Sequence, residues 1–334
     1  MPLDLVIPDL LVPADAPAAM RELRLPWAER WVARAAPQRV ALRGLDAWLT
    51  RAFAVPEPSG IAAITLAADD QPRPGNWLRA DPVHLRIGQD AVALHDAAVL
   101  DVTPAEAAAL VAALQAHFES DGLEFLAPAA DRWYVRVPDG EVPATTPLAN
   151  ALGRNVFGLL PKGSGRINWA SALTEAQMVL ASHAVNAARE EAGRPAINSV
   201  WFWGEGAAPA KVESAYALVY ARDAVARGLG RLAGTRTLPP VESFALVDAV
   251  RTTEWVLVVE DRLTTALRAG GEAAWASAAN ALDDAWFADL GRAAQRFDGV
   301  RIVLPGPRDT LVATLSPRSK WRLFRARKPL VTHA

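Results

Sequence analysis

Residues 255–261 read WVLVVED: five apolar residues with no alternation, then two acids. Residues 300–309, VRIVLPGPRD, follow the same plan and break at Pro305-Gly306-Pro307-Arg308-Asp309. Residues 198–203 also form an apolar run and break abruptly into Gly204-Glu205-Gly206. The first eleven residues make a fourth run, ending near Pro8 and Asp9. Apolar runs without alternation are the signature of strands buried on both faces, and such strands make mostly parallel sheets covered by helices. Helical sequence lies between them. In 15–55, rich in Ala, Arg and Leu, the apolar residues Leu42, Leu45, Trp48 and Leu49 recur at helical spacing. The expected fold class is α/β with a mostly parallel sheet.

A second kind of organisation interrupts this one. Residues 61–66 read as a short strand, and 69–76 (DDQPRPGN) as a loop. Residues 82–87 and 91–94 read as strands around a turn at 88–90. Thr103, Pro104 and Glu106 then spell a capped helix start, with Leu110, Val111, Leu114 and Phe118 on one stripe and Gly122 as the stop. Residues 123–126 and 133–137 follow as a hairpin pair. Strands, a helix and more strands within 78–140 indicate an inserted α+β subdomain, with 1–77 and 141–334 forming the core. Residues 138–168 read as a long loop. A second capped helix is expected from Thr174, with Gln177 at the box position, to about residue 192 before Gly193 and Pro195.

Composition narrows the function. The 334 residues are 51% hydrophobic, which suffices for a sizeable core. Having no cysteine removes thiol catalysis, thiolate metal sites and disulfides, and fits a reducing, cytoplasmic setting. A net charge of −2 argues against a general nucleic-acid binder. The apolar start MPLDLVIPDLLVPAD carries Asp4 and Asp9 and no basic region, so it is not read as a signal peptide. No run approaches the roughly 20 apolar residues of a membrane span.

In open α/β sheets, ligands sit beyond the carboxyl ends of the strands. That rule points to Gly204–Gly206, to Glu260 and Asp261, to the segment 306–309, and to Asp9; the carboxylates among them could serve a metal or simply be solvated. His183, Asn186 and Glu190 share a helix face, which is a ligand-facing set or an ordinary polar face. The five histidines, His84, His95, His117, His183 and His333, show no metal-ligand spacing. Lys162-Gly163-Ser164-Gly165-Arg166 is either a backbone cradle for an anion or a turn. Gly228-Leu229-Gly230 is a weak dinucleotide signal inside a helical stretch. Arg318, Lys320, Arg322, Arg325, Arg327 and Lys328 interleave with Trp321, Leu323 and Phe324 in a basic segment that is a partner-binding surface or a solvated strand.

Residues 183–209, HAVNAAREEAGRPAINSVWFWGEGAAP, resemble the archaeal-type cofactor-independent phosphoglycerate mutases of the alkaline phosphatase superfamily. The family reads approximately H-x-V-N-x-x-R-x-x-x-G-x-P-x-N-x-[IV]-W-x-W-G-x-G-x-x-P there. More weakly, TPAEAAALVAAL at 103–114, LPKGSG at 160–165, WVLVVED at 255–261 and 300–321 resemble other family segments. The same set resembles a bacterial branch labelled RpfE-type regulatory proteins. The resemblance implies an alkaline-phosphatase-like core and a two-metal phosphotransfer site of Asp and His around a Ser or Thr nucleophile. Here the chain departs. Asp9 is followed by Leu10 where the family has Asp-Gly, Val259-Glu260-Asp261 lacks the histidines of H-x-E-x-x-D-E-x-x-H, and Gly306-Pro307 stand where the family has Asp-His. No nucleophile aligns in 38–60.

The resulting expectation is a phosphoglycerate-mutase-like protein without its catalytic residues, binding a small anionic, phosphorylated ligand between core and insert. Its contacts would be Arg132, Lys162, Arg166, His183, Asn186, Arg189, Asn198, Trp203, Gly204, Glu205 and Gly206. No cofactor is expected. The alternatives are a metal-dependent phosphotransferase, with manganese or zinc on Asp9, Glu260, Asp261 and Asp309, and a module for protein partners. Trp201 and Trp203, two apart in a strand, would equally serve as plain core residues.

Overall fold

The structure is a computed structural model that describes every residue except 1, 14, 36, 57–58, 70–71, 88–91, 96, 153, 250–253, 298, 317–318, 320–327 and 331–334. Two compact units share the chain, residues 1–55 with 211–334 and residues 56–210. The stretch 78–140 lies inside the second.

The first unit begins with β1 (Pro2–Val6), α1 (Ala18–Arg21), α2 (Pro26–Ala35), β2 (Gln38–Val40) and α3 (Gly44–Ala52). The second holds α4 (Ile61–Asp69), β3 (Asn76–Ile87), β4 (Val92–His95), α5 (Ala97–Leu100), α6 (Pro104–Phe118), β5 (Glu124–Ala129), β6 (Arg132–Val137), α7 (Leu148–Ala151), α8 (Trp169–Ala181), α9 (Ala184–Glu191) and β7 (Ser199–Ala207). The first unit resumes with β8 (Tyr216–Tyr220), α10 (Ala224–Leu232), β9 (Arg236–Leu238), β10 (Trp255–Val259), α11 (Arg262–Leu282), α12 (Leu290–Arg296), β11 (Gly299–Pro305) and β12 (Thr310–Leu315). Among the described residues no helix is long and apolar enough to cross a membrane.

In the first unit a seven-stranded sheet runs β2-β12-β11-β1-β10-β8-β9. β1 pairs parallel with both β10 and β11, so the three unalternating runs lie side by side at its centre. Leu3 and Leu5 enter a core shared with Trp31, Trp275 and Trp286. Asp4 points to the other face and is fully buried. Arg301 holds it at 2.7 Å through Nε, and the Tyr216 hydroxyl donates to it at 2.6 Å. A carboxylate in a buried strand is tolerable only with such partners. Helix α2 is capped from afar, because Asp283 accepts the N–H groups of Trp27 (3.1 Å) and Ala28 (2.7 Å).

The second unit carries a five-stranded antiparallel sheet, β4-β3-β6-β5 with β7 also paired to β3. Helices α6 and α8 cover one face, where Leu110, Leu114 and Trp169 pack with Phe202 of β7, and α4 covers the other, where Ala62, Ala63 and Leu66 pack with Trp77 and Tyr134 of the sheet. The capped helix at 103–122 forms as its sequence requires, with a complete capping box and Gly122 at φ +76°. Pro82 sits inside β3 without breaking it. β6 pairs with Asn76 to Arg79 and β4 with His84 to Ile87, so at Pro82 only β7 has to be bonded.

Three expectations are corrected. Residues 61–66 belong to helix α4, in which Ala62 through Ala68 are all buried. A short run that is apolar all round has no period to read. The strand at 198–203 is not part of the parallel sheet: β7 is antiparallel to β3 and continues through Gly204–Gly206 to Ala207. Helices on both faces give it the unalternating look of a parallel strand. The helix expected from Thr174 is two helices. Asn168 caps α8 through Ala170 and Ser171, Thr174 bonds back to the Ala170 carbonyl, and the chain breaks at Ser182.

The glycines of β7 allow close packing on the start of α4. Gly60 donates to the Ala207 carbonyl at 3.0 Å, and a Cβ on Gly60 would run into the Gly206 carbonyl. We expect Gly60→Ala to cost at least about 2 kcal/mol in chemical denaturation. Gly158→Ala, where a Cβ meets nothing within 4 Å, should stay within about 0.5 kcal/mol of the parent.

Candidate functional site

The motif at 183–206 builds a knot of side chain to backbone bonds. His183 is the N-cap of α9, its Nδ1 accepting the Val185 N–H at 3.2 Å. Asn186 is buried; its amide donates to the carbonyls of Leu180 (2.8 Å) and Ile197 (2.9 Å) and accepts the Ile197 N–H at 2.8 Å. Arg189, 1% exposed, donates to Pro195 O at 2.8 Å, to Glu106 at 2.9 Å and to Leu100 O. Asn198 takes and gives one bond with the backbone of Leu85, extending the β3–β7 ladder by a side chain. All four bond to the chain's own polar groups, as burial requires of Asn186 and Arg189.

Trp203 leads to residues that the sequence reading missed. Its Nε1 donates to Asp81 at 2.7 Å. Asp81 accepts from Arg79 at 2.6 and 2.9 Å, and the Arg79 guanidinium lies over the rings of Trp203 (5.2 Å) and Tyr134 (5.3 Å). Arg79 and Asp81 are both buried. Burial pushes the Asp81 carboxyl up, against the pull of Arg79 and the indole N–H. A few residues away, Arg132 grips Asp69 at 2.7 and 2.9 Å while the Tyr134 hydroxyl donates to the same carboxylate at 2.7 Å. The available signal was Arg79 and Asp81 two apart in a strand, hence on one face.

A third group gathers around residues 141–146. Glu141 accepts the Ile167 N–H at 2.8 Å and approaches Arg166 Nε at 3.4 Å, and a Cβ on Gly165 would overlap its carboxylate. At the end of the 162–166 loop the backbone thus meets a carboxylate of the chain itself. Ala144 and Lys162 exchange backbone bonds at 2.7 and 2.9 Å. Thr145 ties the same segment to β7: its N–H donates to Glu205 at 3.1 Å, its hydroxyl donates to the other Glu205 oxygen, and it accepts the Gly204 N–H at 3.2 Å. The 160–166 loop and the W-x-W-G-x-G strand therefore meet at one short segment. Lys162 and Arg166 are exposed there, and among the described residues the Arg166 side chain makes one long ion-pair contact, to Glu141.

The strand-end carboxylates of the first unit are held by partners within the chain. Asp9 accepts from the Thr264 hydroxyl, and its carbonyl from Trp275 Nε1 at 2.9 Å. Glu260 takes Arg262 at 2.7 Å and Trp286 Nε1 at 2.8 Å. Asp309 takes Arg39 at 2.6 Å. Burial pushes Asp261 up, and the nearby Arg222 opposes it. Among the described residues no group of three or more His, Asp or Glu is placed to hold a metal ion. The described residues do not fit a two-metal centre. His117 pairs with Glu175 at 2.9 Å, and His84 stands in register with His95 across β3 and β4. His333 and, apart from Lys328, the cations and aromatics of the basic segment lie outside the described residues.

No family model matches the chain. It is 28% identical over 163 residues to a probable 2,3-bisphosphoglycerate-independent phosphoglycerate mutase of Geobacter sulfurreducens, a match taking in 47% of this chain and 41% of that one. It is 25% identical over 172 residues to the corresponding mutase of Methanosarcina barkeri, over 51% of this chain and 41% of the relative. The chain is similar to cofactor-independent phosphoglycerate mutases. The matched stretch spans well under half the length of these curated relatives. The fold is shared with a solved Pyrococcus horikoshii protein, at a TM-score of 0.54 and 12% identity over 94% of this chain and 87% of the other.

Two outcomes follow from this geometry. Trp203→Phe removes a donor from a buried carboxylate and is expected to cost about 1–3 kcal/mol in urea denaturation. For Asp69, burial raises the carboxyl, but Arg132 and Tyr134 outweigh burial and hold it below the ordinary range. A carboxyl lowered on folding contributes stability that is present above about pH 4 and is lost as pH falls through the native value. Asp69→Asn should therefore lose stability near pH 7 and give a flatter stability profile below about pH 4.

Proposed function

We propose that this phosphoglycerate-mutase-like chain, with an alkaline-phosphatase-like core, is a non-catalytic binder of a small phosphorylated ligand and acts by regulation. The observation that carries the reading is the state of the strand-end carboxylates. Glu260 and Asp309 are each matched by an internal guanidinium, which neutralises the charge a divalent ion would need and occupies the oxygens that would bind it. No step through a metal is derived. The absence of cysteine suits a reducing compartment such as the cytoplasm.

Within the second unit the expected ligand contacts divide. His183, Asn186, Arg189, Asn198 and Trp203 hold the fold, and Arg132 is taken by Asp69. Lys162 and Arg166 keep exposed cationic ends on a loop whose backbone Glu141 fixes in place. A phosphate needs charge-assisted donors that are positioned beforehand, and this loop supplies two. Glu205 and Gly204 contribute by anchoring the adjoining Thr145 rather than by reaching a ligand.

The test is a thermal-shift and calorimetric comparison with three-carbon phosphorylated acids. We expect the parent to be stabilised and Lys162→Gln with Arg166→Gln to lose about 90% of the affinity. An undiminished response in the double variant removes the site. The similarity to phosphoglycerate mutases favours a second reading, a metal-dependent phosphotransferase. Calorimetric binding of two manganese ions per chain, with mutase turnover, would establish that reading in place of the first.

A further inference from the structure

One edge of the seven-stranded sheet collects the carboxyl ends of β2, β11, β1, β10 and β8, because these strands run the same way; β12 alone between them runs in the opposite direction. In an open α/β sheet this is the edge where ligands sit. Acids and cations are mixed along it: Arg39 in β2 and Arg43 beyond it, Arg308 and Asp309 after β11, Asp9 after β1, Glu260 to Arg262 after β10, and Arg222 with Asp223 after β8. Almost every acid is engaged. Asp9 takes Thr264, Glu260 takes Arg262 and Trp286, Asp309 takes Arg39, and Asp223 caps α10 through Ala226 at 2.8 Å.

Two cations remain at the corner made by β2, β12 and β11. Arg43 and Arg308 are both exposed, and among the described residues neither forms an ion pair. Their two turns are clasped. Gly44 N donates to Gly306 O at 2.9 Å, and Thr310 Oγ1 donates to Leu42 O at 2.8 Å. Gly306 is buried, and a Cβ there would lie 2.9 Å from the Asp309 carbonyl, so the turn bearing Arg308 is packed rather than loose. In front of Gly44, by contrast, a Cβ would meet nothing within 4 Å. The corner thus has room, a fixed backbone and two unneutralised guanidinium groups. Counting Arg39, Asp46 and Asp309 as well, it keeps a surplus of positive charge.

We propose that Arg43 and Arg308 form a subsite for a phosphate group at this edge, with guanidinium standing where an edge rich in carboxylates would hold divalent cations. The subsite is independent of the Lys162–Arg166 loop, and the two are separable by experiment. Arginine is suited to this because its planar fork bonds phosphate oxygens in pairs and never loses its charge.

The experiment titrates the full chain with inorganic phosphate at low ionic strength, reading arginine and backbone amide NMR shifts together with calorimetry. The expected result is a saturable shift at Arg43, Gly44 and Arg308, weakened about tenfold or more in Arg43→Gln with Arg308→Gln and unchanged in Lys162→Gln with Arg166→Gln. Both positions are exposed, so the variants should fold; the melting temperature without phosphate checks this. Phosphate shifts that survive the Arg43 and Arg308 changes but vanish with those at Lys162 and Arg166 overturn this subsite and leave the loop site standing. No saturable shift at Arg43 or Arg308 in the parent, or manganese binding at this edge, overturns it outright.

Discussion

Strand β3 carries a guanidinium and a carboxylate into the interior of the second unit, and the sheet there is arranged around that constraint. Arg79 and Asp81 cannot be left unpaired away from water, since an isolated buried charge costs several kcal/mol or more. They pair with each other, Trp203 supplies a further donor, and the indole and phenol rings of Trp203 and Tyr134 enclose the guanidinium. Two conditions follow. β7 must lie beside β3 in the observed register, with Arg79 opposite Trp203, and β6 must place Tyr134 opposite Arg79. Asp69 at the end of α4 then receives Tyr134 and Arg132, which ties the covering helix to the same network.

The motif that marks the chain as similar to phosphoglycerate mutases does its structural work next to this network. Its His, Asn and Arg end up bonded to main-chain atoms, and its Trp-Gly-Glu-Gly segment lets β7 approach α4 while Glu205 fastens the 141–146 segment. Such a motif is constrained by the fold itself, because a buried polar side chain in an irregular connection has few alternatives that satisfy the same backbone groups. In the first unit the strand-end acids are engaged by Thr264, Arg262 and Arg39, and the edge carries guanidinium where cation binding would need free carboxylate oxygens.

Several features were legible in the residues themselves. The apolar runs that hold β1, β10 and β11 are neighbouring strands because burial on both faces accounts for such sequence. Thr103, Pro104, Glu106 and Gly122 delimit α6 because caps act through local backbone groups. The run at 61–66 and the strand at 198–203 were misread for one reason: when both sides are buried, the period that separates helix from strand, or antiparallel from parallel, disappears. Thr174 misled because Asn168, six residues earlier, had already satisfied the first N–H groups of the helix.

Local signals in the sequence thus determined an α/β chain, the capped helix, the hairpin and the relationship to the mutases, since each rests on residues a few positions apart. Only the tertiary structure decided what the polar residues do. That Arg189 meets the Leu100 carbonyl, that Glu141 takes the Ile167 N–H, and that Asp309 is paired with Arg39 all depend on partners up to 270 residues away. Charge and hydrogen-bond capacity are written in each residue; their satisfaction is a property of the neighbours that folding supplies.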